Sequence, residues 1–307
     1  MTFKVAICDP ESYKAFVDQV IFGSRAKDLI MNPIPFQIGQ LKFTIERHRT
    51  GLNRLHPSYY LFLEKNQGGR VLILYAKKRA FNKTANYLIS MEKNKKDRQN
   101  DQCIGKLRAN QEGDKYVLYD AGENYTKVHE FPLDKIRNEQ GVFVYRYEPC
   151  NVGNIRKMIV VLPILMMQPM PQTPVVDNTL PIGQDTNGTL VLMTQKTWKP
   201  IREPDTILEV FQREGVRNTN YQVFVDNPPA WNPKTNTYVY DFKGRVTQPS
   251  IKNFQLIPEL DGRRQVTLQD FVLQFGKNGK ESFILDVQYP FSIFQAFGLG
   301  LSAFDTD

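Results

Sequence analysis

The C-terminal segment Tyr289–Asp307, YPFSIFQAFGLGLSAFDTD, sets the hardest constraint on what this chain can fold into. From Phe291 to Phe304 only Ser292, Gln295 and Ser302 are polar. Pro290 suits the first position of a helix, and a helix apolar on nearly every side must be buried on nearly every side. At about 14 residues and ~1.5 Å per residue it spans about 21 Å, short of a bilayer core. The economical solution is that the rest of the chain surrounds it.

That remainder reads as strands. Short apolar or alternating runs recur from Leu41 onward: SYYLFLE from Ser58, RVLILYA from Arg70, NYLIS from Asn86, CIGKLRA from Cys103 and KYVLYD from Lys115. They continue with VFVYRY from Val142, MIVVL from Met158, LVLM from Leu190, YQVFVD from Tyr221, YVYDF from Tyr238, IKNFQLI from Ile251, FVLQFG from Phe271 and SFILDV from Ser282. NQGG at Asn66–Gly69, LDGR at Leu260–Arg263 and KNGK at Lys277–Lys280 punctuate them as hairpins. Strands do not alternate with amphipathic helices, which disfavours an α/β sheet. The expectation is a mainly β fold: a closed antiparallel barrel of about twelve strands around the C-terminal helix, without exposed sheet edges. Gly298 and Gly300 weaken that helix but let strands approach it.

The domain plan is an N-terminal extension over 1–38 and the barrel over 39–307. Glu11–Phe22 reads as a short helix, and DTILEVFQ as another with Asp205 as its N-cap. Lys93–Gln102, KNKKDRQNDQ, reads as a charged loop. Gln168–Gly188, rich in Pro and Gly, reads as a long insertion ordered against a partner.

A formal net charge of +8 points to a polyanionic partner: nucleic acid, an anionic membrane or an acidic protein. Cys8, Cys103 and Cys150 show no pairing or metal-ligand spacing, which argues for a reducing compartment and against a zinc site. The start, MTFKVAICDPESYK, is not a signal peptide, and MIVVLPILMM from Met158 is too short to cross a bilayer. A soluble intracellular protein is expected. His48, His56 and His129 lack metal-protease spacing, and neither a G-x-S-x-G elbow nor a P-loop occurs. The chain therefore reads as a non-enzyme with no cofactor and no metal. Acidic residues such as Asp286 read as strand-edge or turn groups. Nucleic acid is not the expected partner, because no recognition helix or known module accompanies the charge.

The segment CIGKLRAN, Cys103–Asn110, is more specific. On a strand Lys106 and Arg108 share one face while Leu107 takes the other. Two cations then aim at the same space. Arg offers a planar fork matched to phosphate, and Lys a compact point charge.

Over residues 40 to 307 the chain resembles the tubby-like family. The matching words include HPSYYLFLEK from His56, KTANYLIS from Lys83, IGKLRAN from Ile104, NIRKMIVVLP from Asn154 and GRVTQPSIKNFQ from Gly244. The terminal pattern FxLDxxYPxxxxQAFxxxLSxFD is long and specific. The resemblance implies a barrel of about twelve strands threaded by a C-terminal helix. It also implies binding of phosphatidylinositol 4,5-bisphosphate through Lys106, Arg108 and Asn86, with a further family arginine aligning with Arg137, where loop lengths differ. Lys77, Lys78 and Arg79, and then Lys93, Lys95, Lys96 and Arg98, would form a basic patch facing an anionic leaflet.

By the same resemblance, the expected role is a membrane-associated phosphoinositide-binding adaptor, with ciliary protein trafficking the family's best-known setting and protein partners to match. It would sit in the cytoplasm, peripheral to the plasma or ciliary membrane. The alternative is a non-catalytic structural subunit of a ciliary or axonemal assembly, with the Pro-rich insertion as its interaction arm. The chain departs from the family in its basic loop after NYLIS and in that insertion. The long N-terminal region that in some members engages ciliary transport machinery is likewise expected to be missing.

Overall fold

In the computed structural model, the described residues are 10–49, 51–66, 68–80, 82–93, 103–150, 153–169, 182–184, 190–233, 237–259 and 271–305. In chain order the strands begin with β1 (Leu41–His48), β2 (Ser58–Glu64), β3 (Arg70–Lys78), β4 (Asn86–Ser90), β5 (Cys103–Ala109) and β6 (Lys115–Asp120). There follow β7 (Glu139–Cys150), β8 (Gly153–Pro163), β9 (Leu165–Pro169), β10 (Ile182–Gln184), β11 (Leu190–Gln195) and β12 (Tyr221–Asp226). The last are β13 (Ala230–Asn232), β14 (Thr237–Val239), β15 (Phe254–Pro258), β16 (Leu273–Lys277) and β17 (Ser282–Val287). Four helices accompany them among the described residues: α1 (Pro10–Phe22), α2 (Ala26–Met31), α3 (Ile207–Glu214) and α4 (Ile293–Ala303).

Twelve strands close into a barrel in the order β1-β17-β16-β15-β12-β8-β7-β6-β5-β4-β3-β2, every neighbouring pair antiparallel. The count agrees with expectation but the membership differs. LVLM lies in a separate sheet ordered β10-β11-β9, and YVYDF begins in a two-stranded β13-β14 ribbon. The closing strand is instead β1, LKFTIERH, pairing with β17 on one side and β2 on the other. Its alternating Leu41, Phe43 and Ile45 point into the core.

The helix α4 fills the barrel, and every one of its residues is buried. Its two polar side chains, Gln295 and Ser302, and its N-cap Ser292 are all bonded. Ser292 and Gln295 form a capping box, with Ser292 N to Gln295 Oε1 at 2.9 Å and Gln295 N to Ser292 Oγ at 3.0 Å. Gln295 Nε2 also donates to Gln140 O at 2.7 Å and Gln195 Oε1 at 2.8 Å. Ser302 Oγ donates to Leu299 O and meets Tyr145 Oη, each at 2.7 Å. The helix begins at Ile293, not at Pro290; the cap, rather than the proline, sets its start, and Tyr289–Pro290 is a cis peptide. Glycine on either partner permits the close approach. A Cβ on Gly298 would lie 2.8 Å from Leu118 Cδ1, and one on Gly105 would meet Phe294 Cζ at 2.5 Å.

The described part of the N-terminal stretch packs on the barrel. Phe16, Val20, Ile30 and Ile34 join the main core, and Ile34 N donates to Phe291 O at 2.9 Å, just ahead of α4. The Pro-rich insertion contains β10 and is flanked by β9 and β11, so it is not wholly loop; residues 170–181 and 185–189 lie outside the described residues. So do Lys95, Lys96, Arg98 and the LDGR turn. The N-cap of α3 is Thr206, whose Oγ1 accepts from Glu209 N at 3.4 Å, while Asp205 ends the preceding 3-10 turn. α3 covers the outer face of β7, β8 and β12 with Ile207 and Phe211 packed on Val142, Val161 and Tyr221.

Candidate anion-binding face

Strand parity places the cations. On β4 to β6, Tyr87, Ile89, Leu107 and Leu118 belong to the core, so Asn86, Leu88, Lys106, Arg108 and Tyr119 face outward. Register then builds two adjacent rows. Asn86 lies opposite Arg108, and Lys106 lies between Leu88 and Tyr119. Lys77 pairs with Leu88 and so continues the Lys106 row. Opposed Cβ atoms across antiparallel strands are ~5 Å apart. Lys106 is partly exposed and Arg108 exposed. Asn86 is 4% exposed although it faces outward, and its Nδ2 donates to Asn82 Oδ1 at 3.2 Å.

Arg137 reaches the same place from the segment linking β6 to β7. Its guanidinium carbon sits 3.7 Å from the centroid of the Tyr119 ring, directly beside the Lys106 row. It is 4% exposed. Nη2 has only a long bond to Asn124 Oδ1 at 3.4 Å, and Nε has no hydrogen-bond partner among the described residues. Burial pushes the guanidinium below its ordinary range, and the neighbouring Arg108 charge adds to this against support from Tyr119 and Glu139. An arginine does not lose its proton at any working pH. It therefore remains a buried cation whose donors are incompletely used, an arrangement that a bound anion relieves.

The expected basic patch is only partly brought together. Lys77 lies in the outward row, and Arg79 is exposed beside it. Lys78 is a correction. It follows the inward parity of Ala76, and its Nζ meets Asp305 Oδ1 at 2.5 Å, just past the end of α4. Reading KKR as a run of surface charge ignored the strand beneath it. Lys93 is exposed with its ammonium 5.2 Å from the Tyr60 ring centroid.

Two neighbours were missed in the sequence, Tyr119 as the platform under Arg137 and Glu139 opposite Tyr119 on β7. Their only sequence signal is strand parity, and it needs the register to become readable. Glu139 is 1% exposed and Oε2 accepts from Ile207 N, at the start of α3, at 2.6 Å. Burial pushes its carboxyl up to about 7, against the Ile207 hydrogen bond and the Arg137 charge.

Asp226 is likewise pushed up to about 7 by burial. The folded chain thus keeps protons that the unfolded chain, with ordinary values of 4.5 and 3.8, has released. Where the native state binds more protons, stability falls as pH rises. These two groups should therefore remove stability from about pH 4 up to their folded values near 7, and nothing further above. Urea midpoints should drop between about pH 5.5 and about pH 8 in the wild type and drop less in Glu139→Gln. An equal drop in both would mean that Glu139 is hydrated in solution.

The sequence profile of the Tub family matches residues 30–306. The chain belongs to the Tub family. Its relatives include Tubby-related protein 3 of Homo sapiens, 32% identical over 284 residues, covering 91% of this chain and 56% of the relative. Protein king tubby 2 of Culex quinquefasciatus is 34% identical over 267 residues, covering 86% and 54%. Tubby protein homolog 1 of Caenorhabditis briggsae is 32% identical over 266 residues, covering 85% and 56%. The chain spans about half the length of the curated relatives it matches. None of these names is that of an enzyme. The closed barrel about a C-terminal helix is the tubby fold, so the fold expected from the terminal pattern and GRVTQPSIKNFQ is borne out. Among the described residues no helix is long and apolar enough to cross a membrane.

Proposed function

We propose that this Tub-family barrel is a non-catalytic reader of phosphorylated inositol head groups, chiefly phosphatidylinositol 4,5-bisphosphate. It would act as a membrane-associated adaptor on the cytoplasmic side of the plasma or ciliary membrane. The observation that carries this reading is Arg137, buried on the Tyr119 ring with donors to spare, beside the outward pair Lys106 and Arg108. Three cations from two chain segments converge on one outer face, with the Asn86 amide opposite Arg108. Charge-assisted bonds to phosphate suit this set, and the amide can bond a ring hydroxyl or phosphate without adding charge. Lys77 and Arg79 extend the positive surface toward an anionic leaflet. Ciliary trafficking and the ciliary protein partners are the setting we infer from family membership.

A second reading, a structural subunit of a larger assembly, has one observation in its favour. The sheet of β9, β10 and β11 is not part of the closed barrel ladder, although Gln195 ties it to the barrel helix, and it brings two ends of the Pro-rich insertion together. That arrangement suits a protein-interaction arm.

Co-sedimentation with phosphatidylcholine vesicles containing phosphatidylinositol 4,5-bisphosphate tests the first reading. Vesicles matched in charge with phosphatidylserine are the control. The wild type should prefer the phosphoinositide, and the preference should survive moderate salt. Lys106→Ala/Arg108→Ala should lose about 100-fold in affinity or more, since each charge-assisted bond contributes ~1.5–3 kcal/mol. Its circular dichroism should match the wild type, because both side chains face outward. Equal binding to both vesicle types would discard the head-group reading and favour the assembly subunit.

A further inference from the structure

Three successive residues leading into β7 each hold a buried polar atom without a hydrogen-bond partner among the described residues: Arg137 Nε, Asn138 Oδ1 and Glu139 Oε1. Such atoms are normally paired, so a run of them marks a place where a further polar partner fits. Glu139 lies opposite Tyr119, and Tyr119 carries Arg137 on its ring. Oε2 is held by Ile207 N, which leaves Oε1 as the atom able to carry a proton.

The charges around Glu139 are mixed. Arg137 is the cation that bears directly on it, and Arg108 reaches the same Tyr119 from β5. On β6, Asp120 is occupied by the Asn138 backbone and side chain. From the α3 side, Glu203 and Glu209 share Tyr125 as a neighbour with Glu139.

We propose that Glu139 is the proton-linked counter-charge of Arg137: a phosphorylated ligand takes over the guanidinium, and Glu139 takes up a proton as the ligand binds. This rests on the head-group reading above. In the free protein the ionised carboxylate is an anion whose charge supports Arg137. A bound phosphate places more negative charge on the same guanidinium and so favours the neutral carboxyl. Linkage then requires affinity to fall as pH rises through the range where Glu139 is ionised when free and protonated when bound. Burial sets the lower edge of that range at about 7. The ligand works in the opposite direction. Its phosphomonoesters gain charge as pH rises past ~6, which strengthens binding to cations and releases protons. The two contributions are therefore distinguished by sign.

The experiment is calorimetric titration with soluble inositol 1,4,5-trisphosphate above neutral pH, in buffers of low and high ionisation enthalpy. The wild type should take up protons on binding, and its affinity should fall several-fold per pH unit, with about tenfold as the ceiling for one linked proton. Glu139→Gln, neutral and of the same shape, should bind with a flat or rising pH profile and no uptake. If the variant fails to fold, the buffer dependence of the wild type still decides. Tight binding by the wild type without proton uptake overturns the proposal and leaves the head-group reading standing. No binding of trisphosphate at any pH, together with no phosphoinositide preference on vesicles, overturns both.

Discussion

Arg245→Ala is expected to lower the unfolding free energy by about 3–5 kcal/mol, the effect of stripping one partner from a buried ion pair. Arg245 stands in a strap, residues 240–253, that crosses the outside of the barrel. Its Nε and Nη2 donate to Asp286 at 3.0 and 2.7 Å, and Nη1 and Nη2 to Glu64 at 2.9 and 3.1 Å. Asp286 is 0% exposed on β17, with Lys42 of β1 opposite it on one side and Gln274 of β16 on the other, not the edge or turn group that its sequence context suggested. Its remaining support is Gln274 Nε2 at 2.7 Å, part of a ladder running through Gln255 to Asn227. Burial alone would raise Glu64, but the bonds from Arg245 and Thr44 hold its carboxyl below the ordinary range. Removing the guanidinium would leave two carboxylates facing each other, one of them without water. The strap is seated by Val246 against Gly276, so it cannot easily swing away to hydrate them. Urea denaturation measures the loss, and Asp286→Asn in the Arg245→Ala background should recover part of it. A loss under about 1 kcal/mol would mean that water already screens the group.

Gly105→Ala should be nearly as damaging, about 3 kcal/mol, at the upper end for an overpacked core. Gly105 sits on β5 against Phe294 of α4. A Cβ there would run into the Tyr119 carbonyl oxygen and stand 2.5 Å from Phe294 Cζ. A ring can shift, but a carbonyl bonded into a strand ladder cannot. Trimming the ring with Phe294→Leu should therefore fail to rescue the variant, and full rescue would show that the strand yields instead. The position also couples fold to function. Gly105 precedes Lys106, and Tyr119 supports Arg137, so a variant that does fold should bind phosphoinositide vesicles more weakly than its circular dichroism would suggest.

The sequence carried this fold in its local patterns, and the reason is burial. A helix with three polar residues in its apolar length admits few surroundings, and alternating runs admit few partners for it. Strand parity likewise put Lys106 and Arg108 on one face, because side chains alternate whatever the rest of the chain does. Local pattern could not rank strands of equal quality: LKFTIERH closes the barrel while LVLM leaves it. That choice rests on which edges meet, a matter of long-range pairing. The same holds at the site. Lys78 looks like its neighbours in sequence, yet the inward parity of β3 and the position of Asp305 turn it toward the helix end. Arg137 and Glu139 came together with Tyr119 only through the β6–β7 register and the path of the segment between those strands. Periodicity is a one-dimensional property and could be read along the chain. Proximity of buried charges is three-dimensional, and it arose only when the barrel closed.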